Sequence, residues 1–305
     1  MLSSQNLIKK RIVIFGANGM LGQRTALHFR QRGDCELLLS DMAAEAVFPE
    51  FDYQSVDLTD RDQVKSTILK YYPDVIINAA AYTNVDASET DRATAWKVNV
   101  QAVEFMSEAA RVLDTHIVHI STDYVFDGVK GYYLETDKPN PLGYYGRTKL
   151  ASENALRISG TMHSILRTNV LYGIITTGRK DFVRWVVDSV RGGTPIRIVT
   201  DQINNPTYLD DLVDAIERVI TYRKFGLYHI GGSEFLTRYE FTLRIADFFG
   251  LDASLITPIT TDVLMQPAKR PLRSGLINLK AETEFGYRPT PVEETFKKMK
   301  AALNL

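Results

Sequence analysis

The sequence predicts an α/β protein with a doubly wound parallel sheet and a smaller C-terminal lobe. Throughout the first half of the chain, short apolar runs alternate with longer amphipathic stretches. Strands that are apolar on both faces are typical of a parallel sheet covered by helices on each side. Three glycines follow the first apolar run at intervals of three, as in the turn between the first strand and first helix of such sheets. Beyond Arg179 the alternation loosens, so we expect the remainder to form a lobe over the sheet edge.

The elements of the first half follow from the apolar runs and the turn residues between them. Asp60 is expected to cap a helix, because its carboxylate can accept hydrogen bonds from the free amides of the first turn. The predicted strands are 12–15, 36–40, 53–56, 74–80, 117–121 and 164–167, and the predicted helices are 60–71, 21–31, 93–113 and 145–158.

The looser pattern of the second half predicts a further set of helices and two strands. The helices are 181–190, 209–222, 238–249 and 292–303, and the strands are 196–199 and 227–230. We divide the chain into residues 1–170 and 171–305. No low-complexity linker marks this boundary, so it is soft and the chain is free to cross back between the two units.

The composition is ordinary for a globular protein and excludes several functional classes. Lys and Arg number 36 against 37 Asp and Glu, so no charge excess favours nucleic acid or a membrane surface. A single cysteine, Cys35, excludes a disulfide framework. The five histidines lack ligand spacing, so we expect surface residues and no metal site. Residues 9–11 are basic but precede only four apolar residues, too few for a secretory signal. We therefore expect a cytoplasmic protein that does not enter the membrane.

The three glycines identify a candidate dinucleotide site. Gly16 permits a tight turn, Gly19 lets the backbone approach a pyrophosphate, and Gly22 permits close packing of helix on strand. Phosphate is then favoured by free amide hydrogens and by the helix dipole. This context identifies the sheet as Rossmann-type, with residues 1–170 as the dinucleotide-binding domain and 171–305 as mainly a substrate-binding lobe. The predicted contacts in the loop are Gly16, Asn18, Gly19, Met20, Leu21 and Gly22.

Three further groups extend the cofactor site along the carboxyl ends of the strands. Asp41 ends the second strand about 20 residues after the glycines, where an acid can accept hydrogen bonds from the adenosine ribose. A turn cap is the alternative for Asp41. Asp57 and Leu58 follow the third strand and are assigned to the adenine edge, although Asp57 also suits a turn. Small residues after the fourth strand allow a cofactor, or a packed helix, to lie close to the backbone: Ala79, Ala80 and Ala81.

Tyr145 and Lys149 form the candidate catalytic pair. Four residues apart, they lie on one face of the predicted helix. A phenol has an ordinary pKa near 10, and a nearby ammonium lowers that pKa by stabilising the phenolate. Thr122 ends an upstream strand and is assigned to hold a substrate carbonyl oxygen beside Tyr145. This spacing alone is common on helices, and the upstream glycine loop gives it weight. We predict that Tyr145 and Lys149 also touch the cofactor.

These motifs together resemble the extended short-chain dehydrogenase/reductase family and, within it, the dTDP-4-dehydrorhamnose reductases. The resemblance rests on residues 121–128, 145–153, 201–207 and 267–271, and so spans most of the chain. It implies that NADH or NADPH is used to reduce the 4-keto group of a deoxyhexose nucleotide. Asn99 matches a structural or proton-relay asparagine of the family. The implied substrate contacts are Thr122, Asp123, Tyr124, Tyr145, Gln202 and Arg270, with Arg270 assigned to the pyrophosphate.

Two departures from the family pattern affect the substrate and the metal. Members often carry a tryptophan after Arg-Thr-Ser on the strand into the second lobe, whereas this chain has Asn169 and Val170. The exact sugar therefore stays open. Some members place a glutamate after the third glycine, where it contributes to a magnesium site at a dimer contact. Here Gln23 and Arg24 follow, and the cationic Arg24 argues against that magnesium. We therefore expect a homodimer of this protein to form without a magnesium ion at its contact.

Two alternative functions remain open from the residues. A nucleotide-sugar epimerase of the same superfamily can use the same threonine, tyrosine and lysine. Some relatives, such as the regulatory subunit of methionine adenosyltransferase, use this fold as a binding partner. The intact set of Thr122, Tyr145 and Lys149 weighs against a regulatory subunit. A dehydratase is disfavoured, because Tyr124 follows Asp123 where a second carboxylate is expected.

Overall fold

The computed structural model describes residues 9–175 and 177–303. Helices and strands alternate regularly through the first half of the chain. In order they are β1 (Lys10–Phe15), α1 (Met20–Arg32), β2 (Cys35–Asp41), β3 (Asp52–Ser55), α2 (Arg61–Tyr71), β4 (Val75–Asn78), α3 (Arg92–Trp96), α4 (Ala102–Leu113), β5 (His116–Thr122), α5 (Tyr144–Ile158) and β6 (His163–Thr168).

The second half contains shorter strands between its helices. These elements are β7 (Leu171–Tyr172), α6 (Phe182–Arg191), β8 (Ile196–Val199), β9 (Ile203–Asn204), β10 (Thr207–Tyr208), α7 (Leu209–Thr221), β11 (Gly226–His229), β12 (Leu236–Thr237), α8 (Arg238–Phe249), β13 (Ile256–Ile259), α9 (Leu279–Phe285) and α10 (Val292–Leu303). None of the described helices is long and apolar enough to span a membrane.

Seven strands form the central sheet, in the order β11-β6-β5-β4-β1-β2-β3. All neighbouring pairs are parallel. The strand order reverses between β1 and β4, and in doubly wound sheets a crevice for ligands opens at the carboxyl ends of such a pair. The predicted fold class is therefore confirmed. β11 comes from the second half of the chain and pairs with β6, so the chain returns to the main sheet after building part of the second lobe.

The period-two pattern of β1 explains why both faces of the sheet are covered. Ile12 and Ile14 pack into one apolar core with α1 and α7, whereas Val13 and Phe15 pack into another with α2 and α4. All four side chains are fully buried. Because successive strand residues point to opposite faces, one short apolar run fixes both layers and holds the carboxyl end of β1 in place.

The second lobe has its own core, formed by α6, α8 and α10 together with the β8–β13 pair. Caps determine where two of these helices begin. The Asp181 carboxylate accepts a hydrogen bond from the Val183 amide at 2.8 Å, and the Thr237 hydroxyl accepts one from the Glu240 amide at 2.9 Å. Such caps satisfy amides that have no partner within the helix. They place Phe182 and Arg238, the first residues of α6 and α8, against the crevice.

The chain path differs from the prediction in several places, among them the short strands β7, β9, β10, β12 and β13, which were not predicted. The predicted strand 74–80 ends at Asn78, whose side-chain oxygen accepts the Ala80 amide and turns the chain out of the sheet. The predicted helix 93–113 contains a π-helical turn at residues 97–101, between α3 and α4. Helix α9 was not predicted, because its seven residues are too few to show a periodic apolar pattern.

Candidate active site

The crevice at the carboxyl ends of the strands is a cavity of about 1450 Å³. It extends from the loop after β1 to the first turns of α6 and α8. Sites for a single small molecule usually enclose roughly 300–1,000 Å³. The volume therefore accommodates a dinucleotide and a second ligand side by side.

The glycine loop is built for close approach of a pyrophosphate. Gly16 has a φ of 78°, and a Cβ on it would lie 2.6 Å from the Ala80 amide nitrogen. A Cβ on Gly22 would lie 2.2 Å from the Gly16 carbonyl oxygen. Gly19 lines the cavity and precedes α1, whose first turn carries no acidic residue. The helix dipole is thus unopposed at the cavity, and the loop fits a dinucleotide phosphate.

The residues assigned to the adenosine end also line the cavity, but their carboxylates are already engaged. Asp41 accepts hydrogen bonds from the Asn18 amide at 3.0 Å and the Met42 amide at 2.8 Å. Asp57 accepts the amide and the hydroxyl of Thr59, both at 2.8 Å. Asp57 is therefore a turn residue as well as a cavity residue, and Asp41 ties the glycine loop to the end of β2. The remaining predicted cofactor residues on the cavity wall are Met20, Leu21, Leu58, Ala79, Ala80 and Ala81.

Thr122 and Tyr145 meet at the centre of the cavity. Thr122 is the last residue of β5, and its hydroxyl donates to a carboxylate oxygen of Asp123 at 3.0 Å. The Tyr145 ring packs edge-on against Tyr124, with ring centres 5.9 Å apart. This approach depends on Gly146, where a Cβ would lie 2.2 Å from the Tyr124 carbonyl oxygen. Sequence reasoning did not assign that role to Gly146.

Burial raises the pKa of the Tyr145 phenol, and the negative charge of Asp123 raises it further, while the neighbouring Thr122 hydroxyl opposes the shift. In the protein alone, the loss of hydration of the phenolate outweighs the stabilising contacts. The predicted lowering of this pKa by Lys149 together with a bound oxidised nicotinamide stays a prediction. A phenol with a raised pKa stays protonated at neutral pH, which suits a proton donor.

Lys149 is 2% exposed and lines the cavity. Its Nζ is 3.3 Å from Nε2 of His119. Burial lowers the pKa of Lys149 to about 8, and the charge of Glu153 opposes that shift. His119 contacts the Ser152 hydroxyl at 2.9 Å, and burial holds its own pKa well below the ordinary value. The expectation of surface histidines is therefore wrong for His119, a neutral buried neighbour of Lys149, and also for the buried His116 and His229.

A buried ion pair lies next to β5, the strand that ends at Thr122. Arg167 on β6 binds Glu153 on α5 through two bonds of 2.7 and 2.8 Å, and both side chains are almost fully buried. The Ser121 hydroxyl donates to the same carboxylate at 2.6 Å. This network ties α5, β5 and β6 together next to Thr122 and Tyr145. Asn99, in the π-helical turn, donates to Thr148 and so has a structural contact with α5.

The residues assigned to the substrate fall into two groups. Asp123 and Tyr124 line the cavity, and burial raises the pKa of Asp123 to about 6. Gln202 and Arg270 are not among the described residues that line it. The Gln202 amide donates to Thr261 at 3.0 Å, and the Arg270 guanidinium binds the Asp86 carboxylate at 2.7 and 2.9 Å. Both side chains therefore already have partners outside the cavity.

Three residues that sequence reasoning missed also line the cavity. Phe182, Trp185 and Arg238 come from the first turns of α6 and α8. The Arg238 guanidinium lies 4.6 Å from the centre of the Phe182 ring. No spacing pattern links these positions, although the caps before both helices are visible in the sequence.

Arg24, which argued against a magnesium site, forms an ion pair with Asp210 on α7. Gln23 is buried, and its amide donates to the Asn18 carbonyl oxygen at 2.7 Å. Within residues 9–175 and 177–303, no cluster of three or more His, Cys, Asp or Glu residues is arranged to hold a metal ion.

Comparison with known proteins identifies the family. The profile of the RmlD substrate binding domain matches residues 10–305. The chain is 35% identical over 303 residues to a dTDP-4-dehydrorhamnose reductase of Aggregatibacter actinomycetemcomitans, covering 95% of this chain and 98% of that one. It is 31% identical to the beta subunit of methionine adenosyltransferase 2 of Bos taurus, covering 91% and 83% of the two chains. A crystal structure of a dTDP-4-dehydrorhamnose reductase from Bacillus anthracis in complex with NADP superposes with a TM-score of 0.87 at 28% identity, covering 96% and 99%. The chain therefore belongs to the RmlD substrate binding domain family, within the extended short-chain dehydrogenase/reductases.

Proposed function

We propose that this protein uses NADH or NADPH to reduce the 4-keto group of a deoxyhexose nucleotide. The observation that carries the proposal is the meeting of Thr122 and Tyr145 in a cavity with room for two ligands, beside a loop that fits a dinucleotide phosphate. The relative from Aggregatibacter supports the substrate class, and the NADP complex of the relative from Bacillus supports the cofactor.

When bound, the reduced nicotinamide supplies the hydride. The Thr122 hydroxyl orients the substrate carbonyl by donating a hydrogen bond to its oxygen, for which it must turn away from Asp123. Tyr145 donates a proton to the same oxygen as negative charge develops there. Its raised pKa keeps the proton in place until the oxygen has become strongly basic. The Lys149 ammonium, one helical turn along α5, stabilises the phenolate that remains.

The direct test is oxidation of NADH and NADPH by the purified protein with a panel of keto-sugar nucleotides. We expect stoichiometric loss of the reduced cofactor with a thymidine-linked 4-keto-6-deoxyhexose and formation of the 4-hydroxy sugar. Interconversion of sugars without net cofactor consumption would instead identify an epimerase.

A regulatory subunit is the second candidate, because the chain is 31% identical to the beta subunit of methionine adenosyltransferase 2. Such a subunit would bind the dinucleotide and turn over none of the sugars in the panel. The hydroxyl and phenol of Thr122 and Tyr145 on the cavity wall favour catalysis.

The proposal also assigns a separate binding role to each half of the chain. Residues 1–170 bind the dinucleotide and residues 171–305 mainly bind the substrate, with β11 as the return of the chain to the main sheet. The cytoplasmic location and the homodimer stay predictions from the sequence.

A further inference from the structure

Arg238 is a cation on the cavity wall for which the described residues provide no ion-pair partner. It is the first residue of α8, and its guanidinium stacks on the Phe182 ring at 4.6 Å. Other arginines near it are paired: Arg270 binds Asp86, and Arg244, further along α8, binds Glu234 at 2.6 Å. Arg238 thus differs from these arginines in lining the cavity without an ion-pair partner among the residues that the structure describes.

The surroundings of Arg238 make an anionic ligand favourable. Burial lowers the pKa of its guanidinium, and the neighbouring Tyr124 and Asp123 oppose that shift when they are ionised. A partly buried charge without a partner is costly, and an anion that binds it recovers the lost solvation. The five donors of a guanidinium form a planar fork that matches phosphate oxygens, and stacking on an aromatic ring fixes the plane of that fork.

A phosphate at Arg238 has two possible sources, because a dinucleotide and a sugar nucleotide both carry a diphosphate. The cofactor diphosphate is expected at the glycine loop, where Gly16, Gly19 and the start of α1 line a different part of the cavity. Arg238 instead neighbours Asp123 and Tyr124, which directly follow Thr122. A diphosphate one sugar ring away from the carbonyl at Thr122 falls on this side of the cavity.

We infer that Arg238 binds the diphosphate of the sugar-nucleotide substrate, with Phe182 and Trp185 forming the wall along which the nucleoside lies. This inference rests on the proposed function for the identity of the substrate. Trp185 is 40% exposed and lines the cavity. An aromatic face that is partly exposed in this way suits stacking of a base or packing of a sugar.

Calorimetric titration of the full-length protein with thymidine diphosphate and with thymidine tests the inference. We expect Arg238→Met to bind thymidine diphosphate about 10- to 100-fold more weakly, the usual range for loss of a charge-assisted hydrogen bond. Thymidine, which has no phosphate, should bind both proteins equally, and so should NADPH. Arg238→Lys keeps the charge but not the fork, and should fall between the two.

The matched control is Arg244→Met, the same change on the same helix, where the side chain lies in an ion pair outside the cavity lining. Its affinity for thymidine diphosphate should equal that of the wild type. Equal weakening of NADPH and thymidine diphosphate by Arg238→Met would place the residue at the cofactor and overturn the inference. So would unchanged affinity for both, or failure of the wild type to bind thymidine diphosphate.

The same variants separate this inference from the proposed reaction. If the wild type reduces no keto sugar but loses diphosphate affinity with Arg238→Met, the reaction is wrong and the subsite stands. If the wild type reduces the substrate and Arg238→Met leaves its KM unchanged, the reaction stands and the subsite is wrong. If Arg238→Met does not fold, Arg238→Gln, which retains a polar donor of similar length, provides the same comparison.

Discussion

The two ends of the cavity are built in different ways. The phosphate-binding part of the dinucleotide end is backbone within one β-loop-α unit, where Gly16 and Gly22 leave no space for a side chain. The substrate end is made of side chains from β5, α5, α6 and α8, which are separated along the chain and meet only in the folded protein. A site made of local backbone leaves a spacing pattern in the sequence, whereas a site assembled from distant side chains does not. The contrast also predicts different responses to substitution.

The largest effect is expected at the substrate end, from Tyr145→Phe. The ring still packs against Tyr124, but the transferable proton is gone. We expect kcat to fall by about 10²–10⁴-fold with unchanged affinity for the cofactor. Steady-state kinetics and cofactor titration measure both quantities. A variant within a few-fold of the wild-type kcat would remove Tyr145 from the mechanism.

Gly22→Ala tests the dinucleotide end. The added Cβ would lie 2.2 Å from the Gly16 carbonyl oxygen, so α1 must move away from the loop. We expect cofactor affinity to fall at least tenfold and the free energy of unfolding to fall by about 1–3 kcal/mol, as is usual for overpacking. Gly33→Ala is the control for stability, since Gly33 ends α1 with open space around it and only its φ of 72° is strained. It should leave the cofactor affinity intact.

Lys149→Met is expected to raise the stability of the protein and lower its activity. The pKa of Lys149, about 8, is below its ordinary value of 10.5, so the folded protein disfavours the ammonium. This cost is fully present below pH 8 and disappears as the pH rises toward 10.5. We therefore expect Lys149→Met to raise the free energy of unfolding by about 1–3 kcal/mol at pH 7 and by much less near pH 10, while losing most activity. Urea denaturation at both pH values measures this, and a variant that is less stable at pH 7 would contradict it.

The smallest effect concerns the choice of cofactor. The Asp41 carboxylate repels a 2′-phosphate, and Arg61, at the start of α2, is paired with Glu108 at 2.6 Å and so does not offset this repulsion. We expect NADH to be accepted at least as well as NADPH. Asp41→Asn keeps an acceptor for the Asn18 amide and should raise the kcat/KM ratio of NADPH to NADH about fivefold. Asp57→Asn, with its carboxylate bound to Thr59, should change that ratio less. A wild-type preference for NADPH of tenfold or more would show that this role of Asp41 is wrong.

The same contrast explains how much could be predicted from the sequence. The sheet, most helices and the glycine loop follow from apolar periodicity and turn residues, because those depend on near neighbours in the chain. The helix that begins at Arg238 was predicted with the observed bounds, yet its role was not. Whether a side chain faces a cavity depends on how α8 packs against α6, and no local pattern encodes that.

Arg270 and His119 illustrate the opposite limitation. Arg270 has the charge and the rigid loop expected of a phosphate ligand, but its partner Asp86 lies far away in the sequence and was not foreseen. His119 carries a polar ring on an apolar strand, which suggests exposure, yet it is fully enclosed beside Lys149. In both cases a tertiary contact decided the environment, and only the side-chain type was visible in advance.

Transfer of deuterium from the reduced cofactor tests directly whether this protein reduces the 4-keto group of the sugar. The reduced cofactor, carrying deuterium at the transferable position of its nicotinamide, is incubated with a thymidine-linked 4-keto-6-deoxyhexose and the protein. We expect mass spectrometry and NMR to show one deuterium at C4 of the product sugar, with one cofactor oxidised per alcohol formed. With Tyr145→Phe we expect almost no deuterated product. A product that forms without deuterium at C4, or a wild-type protein that binds both ligands and transfers nothing, would contradict it.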